Sequence, residues 1–215
     1  MLLLVIDTSG RQGGITLARG DKQVEIIDSV PIQGGTFSAE LIPQVADLLA
    51  QHGYSAKQLE ALVAVTGPGS FTGLRVGLTA VKALAEVLKI PIAAVTSLEV
   101  LLASAGAQEN TMAVLDAGRG EVYAAVQLSG KRKESLLTIA EAAALTSAKH
   151  LRVVAAEPSV ASKFSKADVV QYCSTEVAAR LGFYKLRAGN TVDVLALDAN
   201  YIRKSEAEYM QKLRK

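Results

Sequence analysis

The run Val65-Thr66-Gly67-Pro68-Gly69-Ser70-Phe71-Thr72-Gly73-Leu74-Arg75 has residue types that could hold an anion. Apolar residues Ala61 to Val65 feed it, and a helical pattern from about Leu74 to Lys89 leaves it. Glycines at a strand-to-helix turn let backbone N–H groups approach a phosphate at the helix N-terminus, where the dipole favours anions. The spacing fits neither common nucleotide loop. A Walker loop needs Lys where Leu74 stands, and a dinucleotide fingerprint needs Gly where Thr72 stands. A tight turn without a ligand accounts for the same residues.

Two aspartates form the second candidate group. Asp7 ends the apolar run Leu2 to Ile6 and is followed by Thr8, Ser9 and Gly10. Asp116 ends Met112 to Leu115 and is followed by Ala117, Gly118, Arg119 and Gly120. Such a pair could hold Mg²⁺ and phosphates between two turns. Alternatively, each Asp simply ends its strand by bonding the turn backbone. The candidate nucleotide cleft is therefore Asp7, Thr8, Ser9, Gly67, Gly69, Ser70, Asp116 and Gly118. Other catalytic constellations are missing. His52 and His150 are far apart in sequence and in no ligand spacing, and no Ser sits in a nucleophile elbow. Cys173 stands alone, reads as a buried thiol, and excludes an intrachain disulfide.

These residues need a frame. Leu2 to Ile6, Gly14 to Ala18 and Gln23 to Pro31 read as strands, and Ser38 caps a helix to about His52 with Leu41, Val45, Leu48 and Leu49 inward. Strand 61–65, helix 74–89, strand Ile92 to Val95 and a helix opened by Ser97 follow. A second unit starts near Met112 and returns through Glu121 to Leu128. Strands near 135–137, 151–155 and 169–172 and helices 139–147, 175–187 and from about Lys204 complete it. The strand–Asp–turn–strand unit occurs once in each half. It predicts an α/β, duplicated ASKHA (actin/Hsp70-like, RNase H-like) fold with two subdomains, 1–105 and a smaller 106–215 whose final helix packs back on the first.

Helix 74–89 is unusual. At about 100° per residue, Arg75, Lys82, Glu86 and Lys89 fall in one polar stripe roughly 60° wide. An ordinary surface helix hides one face only, whereas most of the circumference here is apolar or small. Gly73, Val76, Gly77, Ala80, Val81, Leu84 and Val87 are the expected partner face, with the small residues admitting another backbone. Burial within the same chain is the competing explanation. Val76→Asp and Gly77→Arg are expected to abolish pairing and leave the monomer folded.

The chain has 215 residues, 50% hydrophobic and 20% charged, with net charge +2. A sizeable core is available, and nothing in the overall charge argues for nucleic-acid binding. The basic runs Lys131-Arg132-Lys133 and Lys212 to Lys215 read as solvated surface. No apolar run spans a bilayer and no leader is visible, so a cytoplasmic location is expected.

The segments Leu4 to Ser9, Gly67 to Leu78, Ile90 to Ile92 with Val95 to Glu99, Asp116 to Tyr123 and Asp198 to Arg203 resemble the bacterial TsaB (YeaZ) family, most closely over residues 1–125. The resemblance implies a non-catalytic accessory subunit in threonylcarbamoyladenosine modification of tRNA. Its implied partner is a TsaD-type transferase, with a TsaE-type ATPase joining that pair. It also implies a homodimer when alone, tRNA contact only indirectly and no membrane. No cofactor is required, and weak ATP or ADP binding is compatible. The transferase carries H-x-x-x-H for its metal where this chain has Ser97 and Leu101. Relatives with a basic residue at Gly118 differ from this chain, which keeps only Arg119 there. The alternative is a stand-alone nucleotide-dependent kinase or ATPase of the same fold.

Overall fold

Every residue of β1 (Leu2–Asp7) is buried. Leu2, Leu4 and Ile6 enter one core and Leu3 and Val5 another. Strand side chains alternate between faces, so a strand covered on both sides must be apolar throughout. The computed structural model describes residues 1–106, 109–170 and 174–203.

β1 pairs antiparallel with β2 (Gln12–Gly20), which pairs antiparallel with β3 (Val24–Gln33). On its other side β1 runs parallel to β4 (Ala61–Val65), and β4 parallel to β5 (Ile92–Val95). The order is β3-β2-β1-β4-β5. The second sheet contains β6 (Thr111–Gly118), β7 (Glu121–Leu128), β8 (Lys131–Thr138), β9 (Arg152–Ala155) and β10 (Ala167–Val169), in the order β10-β9-β6-β7-β8. Read from β8, this repeats the first sheet: a three-stranded meander followed by two parallel strands. The fold is the duplicated α/β, ASKHA-like architecture that the two Asp units imply.

α1 (Phe37–Gln51) and α2 (Phe71–Leu88) cover one face of the first sheet. α1 buries Leu41, Val45, Leu48 and Leu49, but its cap position is Thr36 and not Ser38. α2 begins at Phe71, three residues before the sequence expectation. Ser70 Oγ accepts the Gly73 N–H at 3.2 Å and so starts the helix. Phe71, Thr72 and Gly73 are therefore helical rather than loop.

α3 (Ser97–Ser104) stands between the two sheets. Val100 packs with the first, while Leu98, Leu101 and Leu102 pack with Ala113, Leu115 and Ala125 of the second. Its cap is Thr96, in a reciprocal box with Glu99, rather than Ser97. α4 (Ile139–Lys149) and α5 (Pro158–Ala161) cover the far face of the second sheet. α6 (Thr175–Arg187) returns to the first sheet, where Ala178, Ala179 and Phe183 meet Leu3, Val5 and Val63.

The chain then runs back as a strap. The Val192 N–H bonds Ile92 O at 2.9 Å, Leu197 is buried, and the Asn200 N–H bonds Thr66 O at 2.8 Å. Cys173, the helix expected from Lys204 and the basic run 212–215 lie outside the described residues, as do 171–172 of the strand expected at 169–172; β10 precedes it at 167–169.

Candidate functional site

Both Asp turns make the same bond. Asp7 Oδ1 accepts the Ser9 N–H at 2.8 Å, and Asp116 Oδ1 accepts the Gly118 N–H at 3.3 Å. A strand-ending Asp that binds the backbone two residues on fixes the turn without a ligand. Their surroundings differ. Asp7, Thr8 and Ser9 are buried, whereas the Asp116 side chain is 45% exposed with Lys163 Nζ at 3.9 Å.

The first turn is held down by the glycine run. Ser9 O accepts the Ser70 N–H at 2.6 Å, and the Thr8 hydroxyl donates to Gly73 O at 2.7 Å. A Cβ at Gly69 would strike the Ser9 carbonyl, one at Gly73 the Thr8 carbonyl, and one at Gly77 the Thr8 hydroxyl. The Gly67 carbonyl accepts the Ser97 N–H at 2.8 Å. The glycines thus admit the chain's own Thr8–Ser9 turn, and at Ser70 an N–H that could approach a phosphate is bonded to Ser9.

A cleft of about 440 Å³ lies between the halves. Ser9, Gly69, Ser70 and Asp116 line it, with Arg11 and Glu157 opposite in charge. Asp7 and Thr8 sit beneath this surface, Gly67 is buried beside β4, and Gly118 ends β6 two residues beyond Asp116, outside the cavity lining. The structure brings four of the eight candidate cleft residues to one cavity.

α2 separates its seven expected partner residues. Gly73, Gly77 and Val81 are buried within the chain, the glycines against Thr8 and Val81 in the first core. The backbone that approaches these glycines is the protein's own, which corrects their assignment to a foreign contact. Gly77→Arg would strike Thr8 and cannot separate docking from folding. Val76, Ala80 and Leu84 are half-buried, while Val87 is 80% exposed. With exposed Ala83 they form an apolar arc of roughly 100° beside the polar stripe. At the start of α2, Phe71 is exposed, with the Arg75 guanidinium 3.8 Å above its ring and the Tyr201 ring 5.5 Å away. A groove of about 530 Å³ adjoins this end, lined by Phe37, Thr72 and Val76 among others.

Ser97 and Leu101 occupy interior positions on α3. Ser97 is buried and its hydroxyl donates to Ser9 Oγ at 3.1 Å; Leu101 packs in the core under the second sheet.

A polar network absent from the sequence expectations joins the halves. Glu99, 7% exposed, accepts Lys185 Nζ at 2.9 Å, Arg132 Nη2 at 2.6 Å and the Thr96 N–H at 2.7 Å. Burial pushes its carboxyl up. The Lys185 hydrogen bond, the Thr96 N–H and the two cationic charges outweigh that and hold it below the ordinary 4.5. Glu134 accepts the Thr96 hydroxyl at 2.6 Å and Asn200 Nδ2 at 2.7 Å. Arg203 Nη2 reaches Ala117 O at 2.9 Å and Glu121 Oε2 at 2.6 Å. Arg132 is therefore not part of a uniformly solvated basic run. Strand alternation turns Glu134 and the still partly solvated Arg132 toward α3, while Lys131 and Lys133 make no such contact with Glu99. The Thr96-x-x-Glu99 spacing was the one local signal of this cluster.

A family model described as TsaD: tRNA N6-adenosine threonylcarbamoyltransferase matches residues 32–197. The tRNA threonylcarbamoyladenosine biosynthesis protein TsaB of Bacillus subtilis is 39% identical over 124 residues, 57% of this chain and 53% of that protein. The Haemophilus influenzae TsaB is 30% identical over 126 residues, 57% of this chain and 52% of that protein. The matched part spans about half the length of these curated relatives. YeaZ from Pseudomonas aeruginosa superposes with a TM-score of 0.72 at 24% identity, covering 93% of this chain and 100% of that one. A Pseudomonas aeruginosa protein described as similar to peptidase YeaZ gives a TM-score of 0.76, covering 94% and 99%. The chain belongs to the family of the TsaD model and, within it, to the TsaB/YeaZ members.

Proposed function

We propose that this chain is a non-catalytic subunit in the synthesis of threonylcarbamoyladenosine in tRNA, and that it dimerises with and activates a TsaD-type transferase. The observation that carries the proposal is the outward arc of α2, where Ala83 and Val87 are exposed and Val76, Ala80 and Leu84, packed on one side against the first core, leave part of their apolar surface in water. Contiguous apolar surface of this kind marks association sites. The absence of catalysis is supported by Ser97 and Leu101. Neither a hydroxyl bonded to Ser9 nor a packed isobutyl group can replace two imidazoles.

Activation then requires that the α2 face contact one conformation of the transferase more favourably than another. A TsaE-type ATPase joins through the heterodimer, the same face forms a homodimer when the chain is alone, and tRNA is met only through the partner. The subunit needs no cofactor of its own and works in the cytoplasm.

The test is reconstitution. Transferase with this chain should modify tRNA, and transferase alone should do so far more slowly. Val76→Asp should abolish co-elution in size-exclusion chromatography. Unchanged transfer activity without the chain would overturn the proposal.

The cleft between the halves favours a second reading, a nucleotide-dependent kinase or ATPase using Asp116. ATP hydrolysis by the purified chain, lost on Asp7→Ala and Asp116→Ala, would replace the first reading by this one.

A further inference from the structure

We propose that the two halves are fastened into one body whose cleft keeps its shape whether or not a ligand is present. Two-sheet folds with a cleft can open and close when the contact between the halves is small and polar. Here it is neither. α3 is shared by both sheets, and Leu98, Leu101 and Leu102 are buried against Ala113, Leu115 and Ala125. Separating the sheets would return that apolar surface to water, which opposes opening directly.

The polar contacts bind the same seam. Glu99 belongs to the first half, and its cations come from β8 of the second sheet and from α6. Lys185 also donates to Ala94 O at 2.8 Å, so its ammonium is held by the first sheet as well. Glu134 reaches from β8 to Thr96 on one oxygen and to Asn200 on the other. Charged hydrogen bonds of this kind are stronger than neutral ones and fix direction as well as distance.

The strap closes the seam a second time. Leu197 is anchored in the first core and the Asn200 N–H on Thr66, while Arg203 holds the Ala117 carbonyl and Glu121 of the β6–β7 turn. The turn that carries Asp116 is thereby tied through residues 197–203 to the strand that precedes α2. Opening the cleft must break the strap contacts, the Glu99 and Glu134 bonds and the α3 interface together. This inference does not depend on the partner assigned above.

Spin labels test it. Cysteines replace Lys22, in the exposed turn before β3, and Lys131, at the start of β8, in a Cys173→Ser background. Pulsed electron resonance then measures the distance between the halves. The expected result is one narrow population that Mg·ATP leaves unshifted. Asn200→Ala combined with Arg203→Ala should broaden it and add longer distances, and Glu134→Gln should do so to a smaller degree. A broad or two-peaked distribution in the parent chain, or a shift on adding Mg·ATP, overturns the proposal. So does a folded strap variant that stays as narrow as the parent. If a variant fails to fold, the parent chain with and without Mg·ATP decides alone.

Discussion

In the first half, Asp7 Oδ1 accepts the Ser9 N–H; in the second, Asp116 Oδ1 accepts the Gly118 N–H, in a sheet of the same strand order. One turn is sealed and the other is open. α2 lies on the first turn and bonds it through Ser70 and Gly73. α4 and α5, which follow the second meander, cover the far face of their sheet and leave the Asp116 turn to Lys163 and the strap. A duplicated fold can thus keep its local turn chemistry and lose its symmetry of access. In this chain the first turn has become part of the support for α2.

Substitution at the glycines tests that contrast most severely. Gly73→Val drives a side chain into the Thr8 carbonyl and should cost about 3 kcal/mol. Gly118, at φ 72° with open space around it, pays only for its backbone conformation, and Gly118→Ala should cost about 1 kcal/mol. Urea denaturation of the two variants gives the comparison, and equal losses would mean that the first turn is not sealed as described.

Glu99→Gln comes next, at about 2 kcal/mol at pH 7, because Lys185 and Arg132 lose their carboxylate but keep some contact with water. Its pH dependence has a definite sign. A carboxyl held below its ordinary value contributes stability above that value and loses it as pH falls through the folded-state value. The difference in urea midpoint between wild type and Glu99→Gln should therefore shrink below the ordinary 4.5. A gap that widens in acid would remove the ion pairs from the account.

The aspartates themselves should show a smaller contrast. Asp7→Ala removes an acceptor from a buried turn and should cost about 1.5 kcal/mol. Asp116→Ala should cost about 0.5 kcal/mol, as exposed substitutions do. Val87→Asp should have the least effect on folding, within about 0.5 kcal/mol. If α2 is the docking face, it should still weaken binding to the transferase by on the order of tenfold, as loss of a central contact does. Titration calorimetry beside a thermal melt separates the two effects.

Much of the frame was legible in the chain. Leu2 to Ile6 and Ala61 to Val65 are apolar at every position, as strands covered on both faces must be, and helix Thr175–Arg187 follows its sequence limits. The glycines before Leu74 read as loop, whereas the Ser70 cap starts α2 at Phe71. Gly73 and Gly77 looked like room for another protein. A sequence shows that a close approach is allowed but not which backbone makes it.

Local chemistry settled the strands, the Asp turns and the capping box Thr96–Glu99, since each needs only residues within a few positions of one another. Which turn would be covered, which flank of α2 would stay in water, and that Glu99 would meet Lys185 and Arg132 were decided by packing. Those partners lie 86 and 33 positions away. Contacts over such separations depend on how two sheets and a shared helix dock, and no short pattern in the chain encodes that docking.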